Sequence, residues 1–273
     1  MDEQSAHFPD RDRLSILVGT ILLAYTLTHF VSIPTLELDF ALLGILFPIR
    51  VNFTTLVTLL VAGLTASGTA WLLESQAGWK STRTTFVHWL LPTLTALVLL
   101  QAINQLPFGG AWWVAAVGSG LLLMLILSAE FIAQDTGNKY YIAAEMGITA
   151  LSIILFLILA LSLHASGTRL FYRVPVLSLA ALLVYLRILH LRSHGRWTIV
   201  PGSVAFLLIG ELAAVLHYWP LSSLGFAVAL TGPLYALVEI SDGFPAAGER
   251  FQTQRLFWPI LIIAASWVVA ILV

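Results

Sequence analysis

Cysteine is absent from the 273 residues, which excludes disulfides, cysteine-ligated iron–sulfur clusters, thioether-linked haem, thiol catalysis and palmitoylation. Charge is scarce as well: 10% of the residues are Asp, Glu, Lys or Arg, and the formal net charge is -1. With no long basic or acidic tail, nothing in the chain recruits nucleic acid or a polyanionic partner. Lysine occurs only at Lys80 and Lys139, both in expected connectors, so no mid-membrane lysine can hold a retinal Schiff base. H-E-x-x-H, G-x-S-x-G and the P-loop are missing, as is a carboxylate pair suited to magnesium diphosphate chemistry. Ordinary enzyme readings lose ground, and a noncatalytic role is favoured.

What the chain has in abundance is apolar sequence. It is 59% hydrophobic with a mean hydropathy of +0.93, and a helix needs about 20 apolar residues to cross a bilayer's hydrocarbon core. Runs of that order recur at 14–34, 54–74, 86–106, 111–133, 141–164, 171–192, 197–218, 222–241 and 256–273, which predicts an all-α, polytopic bundle of about nine spans. Pro107 with Gly109 and Gly110, Gly137 with Asn138, Gly195, Pro220 and the segment 241–250 separate the runs. Residues 1–13 form an expected cytoplasmic tail, and the run after them is too long for a signal-peptide core and lacks a small-residue cleavage site. The expectation is a single transmembrane domain over 1–273 in the cell membrane of a bacterium.

Basic residues set the orientation. With the N-terminus inside, Arg11, Arg13, Lys80, Arg83, Lys139, Arg187, Arg192, Arg196, Arg250 and Arg255 fall on the inner side, against Arg50, Arg169 and Arg173 outside. The C-terminus is then outside. Between the first two runs, Leu36, Leu38 and Phe40 alternate with Glu37 and Asp39, and Phe47, Ile49, Val51 and Phe53 with Pro48, Arg50 and Asn52. This period of two predicts an amphipathic β-hairpin over 35–53 with a turn near Gly44, lying on the outer face.

The passages LVTLLVAGLTASGTAWLL, LRILHLRSHGRW and HYWPLSSLGFAVALTGPLYAL resemble a bacterial family of multi-pass membrane proteins of unknown function, over most of the chain. The resemblance implies a compact helical bundle and carries no activity or cofactor with it.

Few polar side chains interrupt the apolar runs. Glu211 lies about three residues past the middle of its run, where an ionised acid costs roughly 2.5 to 3.5 kcal/mol on insertion scales; such residues face a bundle interior or a wet cavity, so Glu211 is expected to point inward as a proton-sensitive contact. His217 and Tyr218 follow on nearby faces. Toward the same outer end, His29, Asn104 and His164 reach a similar depth, with Tyr25 one turn below His29. Two facing imidazoles could ligate a b-type haem, and three a metal; no cofactor is expected, and haem is the weaker alternative. Near the inner end Glu74, His88, Glu130, Glu145, Arg187, His190 and Glu239 read as interface anchors, with an Arg187 ion pair to Glu130, Glu145 or Glu239 as bundle glue. Gly63 with Ser67 and Ala66 with Ala70 mark tight helix contacts. The functional expectation is binding or translocation of a small or lipophilic ligand. Its rivals are an assembly or scaffold subunit with other membrane subunits as partners, and a haem or quinone redox protein. Membrane lipids are partners in every case.

Overall fold

Asp10 opens the first helix. Its carboxylate accepts the Asp12 N–H at 2.9 Å, satisfying one of the donors that a helix N-terminus leaves without an internal partner. The computed structural model describes residues 8–31, 34, 36–42, 45–74, 85–135, 137–192, 199–242 and 256–273. They form two compact units, Met1–Tyr141 and Ile142–Val273. Among the described residues, seven helices are long and apolar enough to cross a membrane; His88–Ile103 and Phe257–Leu272 are shorter apolar helices.

The first unit contains α1 (Arg11–Phe30), β1 (Leu36–Leu42), β2 (Ile45–Val51), α2 (Phe53–Leu73), α3 (Thr85–Ile103) and α4 (Gly110–Ile132). α1 starts and stops earlier than the apolar run 14–34, because Asp10 caps it four residues upstream of Leu14 and the backbone at Val31 is already extended ahead of Pro34. β1 and β2 pair antiparallel, with Leu36 opposite Val51, Phe40 opposite Phe47 and Leu42 opposite Ile45; residues 43 and 44, where the turn is expected, lie outside the described residues. Asn52 caps α2 by accepting from the Thr55 N–H and hydroxyl, both at 2.8 Å.

Three long-range contacts hold these helices. The Arg13 guanidinium donates to the Trp71 carbonyl at 2.8 Å and lies 4.9 Å from the Trp71 ring centroid, tying the start of α1 to the end of α2. The Tyr25 hydroxyl, fully buried, donates to the Ala96 carbonyl at 2.6 Å and bolts α1 to α3. Around them Leu17, Ile21, Val61, Leu99, Leu123 and Leu127 form the buried cluster. The close approach in α2 is at Gly68, which meets Leu17 of α1. Gly63 and Ser67 instead lie on the exposed face, with open space beside Gly63, because Val61, Thr65, Thr69 and Leu72 fill the inward stripe.

The second unit contains α5 (Tyr141–Ala165), α6 (Leu170–Arg192), α7 (Ile199–His217), α8 (Ser223–Asp242) and α9 (Phe257–Leu272). α5 ends at Gly167, whose φ of 63° is a left-handed conformation that costs glycine little. Glycines also let α6 and α7 approach: a Cβ at Gly202 would fall 2.8 Å from Leu186, and one at Gly210 would collide with Ser178. α8 and α9 also meet closely, since a Cβ at Gly225 would lie 2.5 Å from the Ala270 carbonyl oxygen, a backbone atom that cannot turn away. Small residues at helix contacts are the usual means of close packing where lipid removes the hydrophobic drive for association. The described threonines Thr65, Thr69, Thr95 and Thr231 satisfy their hydroxyls on the carbonyl four residues back, each at 2.7 Å.

Candidate functional site

Glu211 does not face inward. α7 buries Gly202, Ala205, Ile209, Gly210, Ala213 and Leu216, and leaves Glu211 exposed. Adjacent positions on a helix diverge by about 100°; with Gly210 pressed on Ser178 of α6, Glu211 must turn to the flank. It falls in the middle of an exposed seam made by Val200, Val204, Leu207, Val215 and Tyr218. These positions are three or four apart, the spacing that lines one helix face. Glu211 makes no hydrogen bond or ion pair with any described residue. Tyr218 is 80% exposed and stands edge-on to His217 at 5.2 Å between centroids.

The polar convergence lies instead at Arg173, in the first turn of α6 and only 3% exposed. One of its terminal nitrogens, Nη1, reaches Nδ1 of His217 at 2.9 Å and Nδ1 of His164 at 3.2 Å. Nη2 donates to the Thr168 carbonyl at 3.0 Å, Nε lies 3.5 Å from the Thr168 hydroxyl, and the guanidinium carbon sits 5.5 Å from the Phe226 ring centroid. Arginine can only donate, so both imidazoles accept through Nδ1 and serve Arg173 only while neutral. No carboxylate pairs with this guanidinium among the described residues. Its charge is balanced by position: His164 and His217 occupy the last turns of α5 and α7, so two helix C-termini, each carrying about half a negative charge, converge on one cation. The cluster is a clamp on α5, α6 and α7, with His164 also stacked on Phe226 of α8 at 4.4 Å.

The other expected outer residues have separate surroundings in the first unit. His29 stacks on Phe108 at 4.6 Å and lies 6.0 Å from Trp112. Asn104 accepts from the Thr28 hydroxyl at 3.0 Å. Tyr25 is taken up by Ala96. Equal depth along different helices therefore joins His164 to His217, and Asn104 to the helix that carries His29. No group of three or more His, Asp or Glu side chains able to hold a metal ion occurs among the described residues.

Among the inner-end residues, Glu130 is completely buried and its Oε2 lies 3.0 Å from Nδ1 of His88, linking α4 to α3. Arg192 Nη2 lies 3.6 Å from Glu239 Oε1. His194 lies outside the described residues.

Sequence reasoning assigned Glu145 to the interface, yet it borders a groove of about 460 Å³ on α5, α6 and α8. Glu145, Arg192 and Tyr235 stand at its polar edge, and Met146, Ala150, Ile153 and Ile154 line its apolar wall. Met146 is 62% exposed, so the groove opens sideways. A second cavity, by Leu216, Trp219, Leu221 and Trp267 where α7, α8 and α9 meet, measures about 70 Å³. The signal for the groove was present as an acid in the first turns of a long apolar helix, but its neighbours on α6 and α8 could not be read from one sequence.

A chain with seven described helices long and apolar enough to cross a membrane, whose buried Thr65, Thr69, Thr95 and Thr231 turn their hydroxyls onto their own backbones, is a helical membrane protein. Its family is narrower: a family model described as a protein of unknown function (DUF5656) matches residues 33–273, and the chain belongs to that family. No curated protein and no solved structure matches it.

Proposed function

We propose that the chain is a multi-pass protein of the cell membrane, crossing about nine times with its N-terminus inside and the β1–β2 hairpin on the outer side, and that it binds a lipophilic ligand in the groove of the second unit. The ten-to-three distribution of basic residues supports the orientation. The observation that carries the ligand reading is the groove itself. At about 460 Å³ it matches the size of small-molecule sites, and it joins an aliphatic wall to a few polar groups at one edge. Its lateral opening admits a molecule from the bilayer.

Filling the groove tests this. Ile153→Trp should reduce saturable binding of a fluorescent dodecyl amide, measured in phosphatidylcholine nanodiscs, by at least about tenfold, which corresponds to about 1.4 kcal/mol. Unchanged saturable binding in a variant that still elutes as a folded monomer would overturn the assignment.

One observation favours a second reading, an assembly subunit. Glu211 lies about 9 Å inside the His217 end of α7 at 1.5 Å per residue, on an exposed apolar seam and without a partner among the described residues. A polar group at such a depth drives helix association, because a partner helix supplies the hydrogen bond that lipid cannot. The absence of cysteine makes the test of self-assembly clean: under an added oxidant in native membranes, Val215→Cys should join two copies of the chain through a disulfide between their introduced thiols, and adding Glu211→Leu should diminish that species several-fold. A Val215→Cys chain that stays uncrosslinked under oxidant would remove this reading.

A further inference from the structure

We infer that the ligand of the α5–α6–α8 groove is an amphipathic cation: a single positively charged head, an ammonium or a related onium group, on an aliphatic tail. This rests on the groove reading above and specifies its chemistry. Three observations carry it.

The first is charge. Glu145 and Arg192 line the groove edge, and because the Arg192–Glu239 pair is formally neutral, Glu145 leaves a formal charge of −1 among these three groups. Arg192 is engaged by Glu239 at 3.6 Å. Glu145, half-buried one turn into α5, makes neither a hydrogen bond nor an ion pair with any described residue. The groove thus offers an acidic side chain with no ion-pair partner among the described residues. Tyr235 borders the same edge, and the face of a phenol ring attracts a cation.

The second is a hydroxyl held open. Thr149 also lines the groove and is 9% exposed. The other buried threonines of the described chain, Thr65, Thr69, Thr95 and Thr231, all turn their hydroxyls onto the carbonyl four residues back. Thr149 makes no hydrogen bond through its side chain among the described residues. Its hydroxyl is therefore available to a ligand atom in the groove.

The third is order along the helix. Glu145, Thr149 and Ile153 are four residues apart, so they stack on one face of α5 over about 12 Å. Acid, hydroxyl and aliphatic side chain follow in sequence, with Ala150 and Ile154 beside them. An ammonium at Glu145, a polar or first tail segment at Thr149 and a chain running past Ile153 match this gradient. An anionic amphiphile would set its head against an unpaired carboxylate, at an energetic cost that the paired Arg192 does not offset.

Three probes with one dodecyl tail and an ammonium, an uncharged amide or a sulfonate head separate the possibilities. Binding is measured by saturable fluorescence change on the full chain in phosphatidylcholine nanodiscs. The ammonium probe should bind about tenfold or more tighter than the amide, and the sulfonate weakest. Glu145→Gln should bring the ammonium affinity down to that of the amide, and Thr149→Val should weaken the ammonium probe a few-fold. Equal affinity for all three heads, or an ammonium preference that survives Glu145→Gln, overturns the cation assignment while the groove stands. Loss of saturable binding by none of the probes in Ile153→Trp overturns the groove, and the cation assignment with it. Size-exclusion profiles and unfolding temperatures of each variant, matched to the parent, show that binding rather than folding is being read.

Discussion

Arg173→Ala should lower the stability of the protein by about 3 kcal/mol, the scale set by removing one member of a buried polar cluster, and its unfolding temperature in mild detergent by about 6–12 °C. The guanidinium supplies donors to His164, His217 and Thr168 at once. Its removal strands three acceptors from two helix ends and a connector and leaves a void beside Phe226. Arg173→Lys should recover only part of the loss, because an ammonium cannot span ligands arranged around a planar fork. A full recovery by lysine, or a loss under about 0.5 kcal/mol in the alanine variant, would show that the cluster does not hold α5, α6 and α7 together.

Glu130→Ala is expected to have an effect of similar size in the first unit, about 3 kcal/mol. Glu130 is fully buried and its Oε2 shares a hydrogen bond with Nδ1 of His88 at 3.0 Å. Alanine leaves that ring nitrogen without this partner, beside a cavity between α3 and α4. Glu130→Gln keeps an acceptor oxygen and should restore most of the stability, and the order parent, Gln, Ala in thermal unfolding is the signature to look for. Alanine and glutamine variants that unfold together would show that volume, not the hydrogen bond, is what matters there.

The helices were legible in the sequence because uninterrupted apolar length is a direct consequence of bilayer thickness. The run 54–74 became Phe53–Leu73, and 141–164 became Tyr141–Ala165. Depth was legible for the same reason: Glu211 does lie well inside α7, and His164 and His217 do end their helices at one level. Direction around the helix axis was not. Whether residue 210 or 211 meets a neighbour depends on which helix packs there, and α7 is apolar on every side, so no amphipathic stripe marks the inner face. Gly210 against Ser178 decides it. Arg173 was counted only as an outer basic residue, although an arginine three residues into an apolar run has to find acceptors inside the protein. That rule could have singled it out; it could not have named His164 and His217 as the acceptors, because they come from two other helices. Glu145 was assigned to the interface on the same grounds of depth, and only the walls provided by α6 and α8 turn it into part of a groove.

The Arg173 cluster and the groove occupy opposite ends of the same helices. On α5 they are separated by the interval from Glu145 to His164, about 28 Å at 1.5 Å per residue, and on α6 by nearly the full length from Arg173 to Arg192. Helices riveted at one extremity behave like the arms of a pair of tweezers: a wedge driven between the tips is absorbed by a small rotation about the rivet. If the groove takes a guest as proposed, tip separation within the second unit would accommodate it with the hinge intact, and the hydrogen bonds of Arg173 would set the stiffness against which that guest must work.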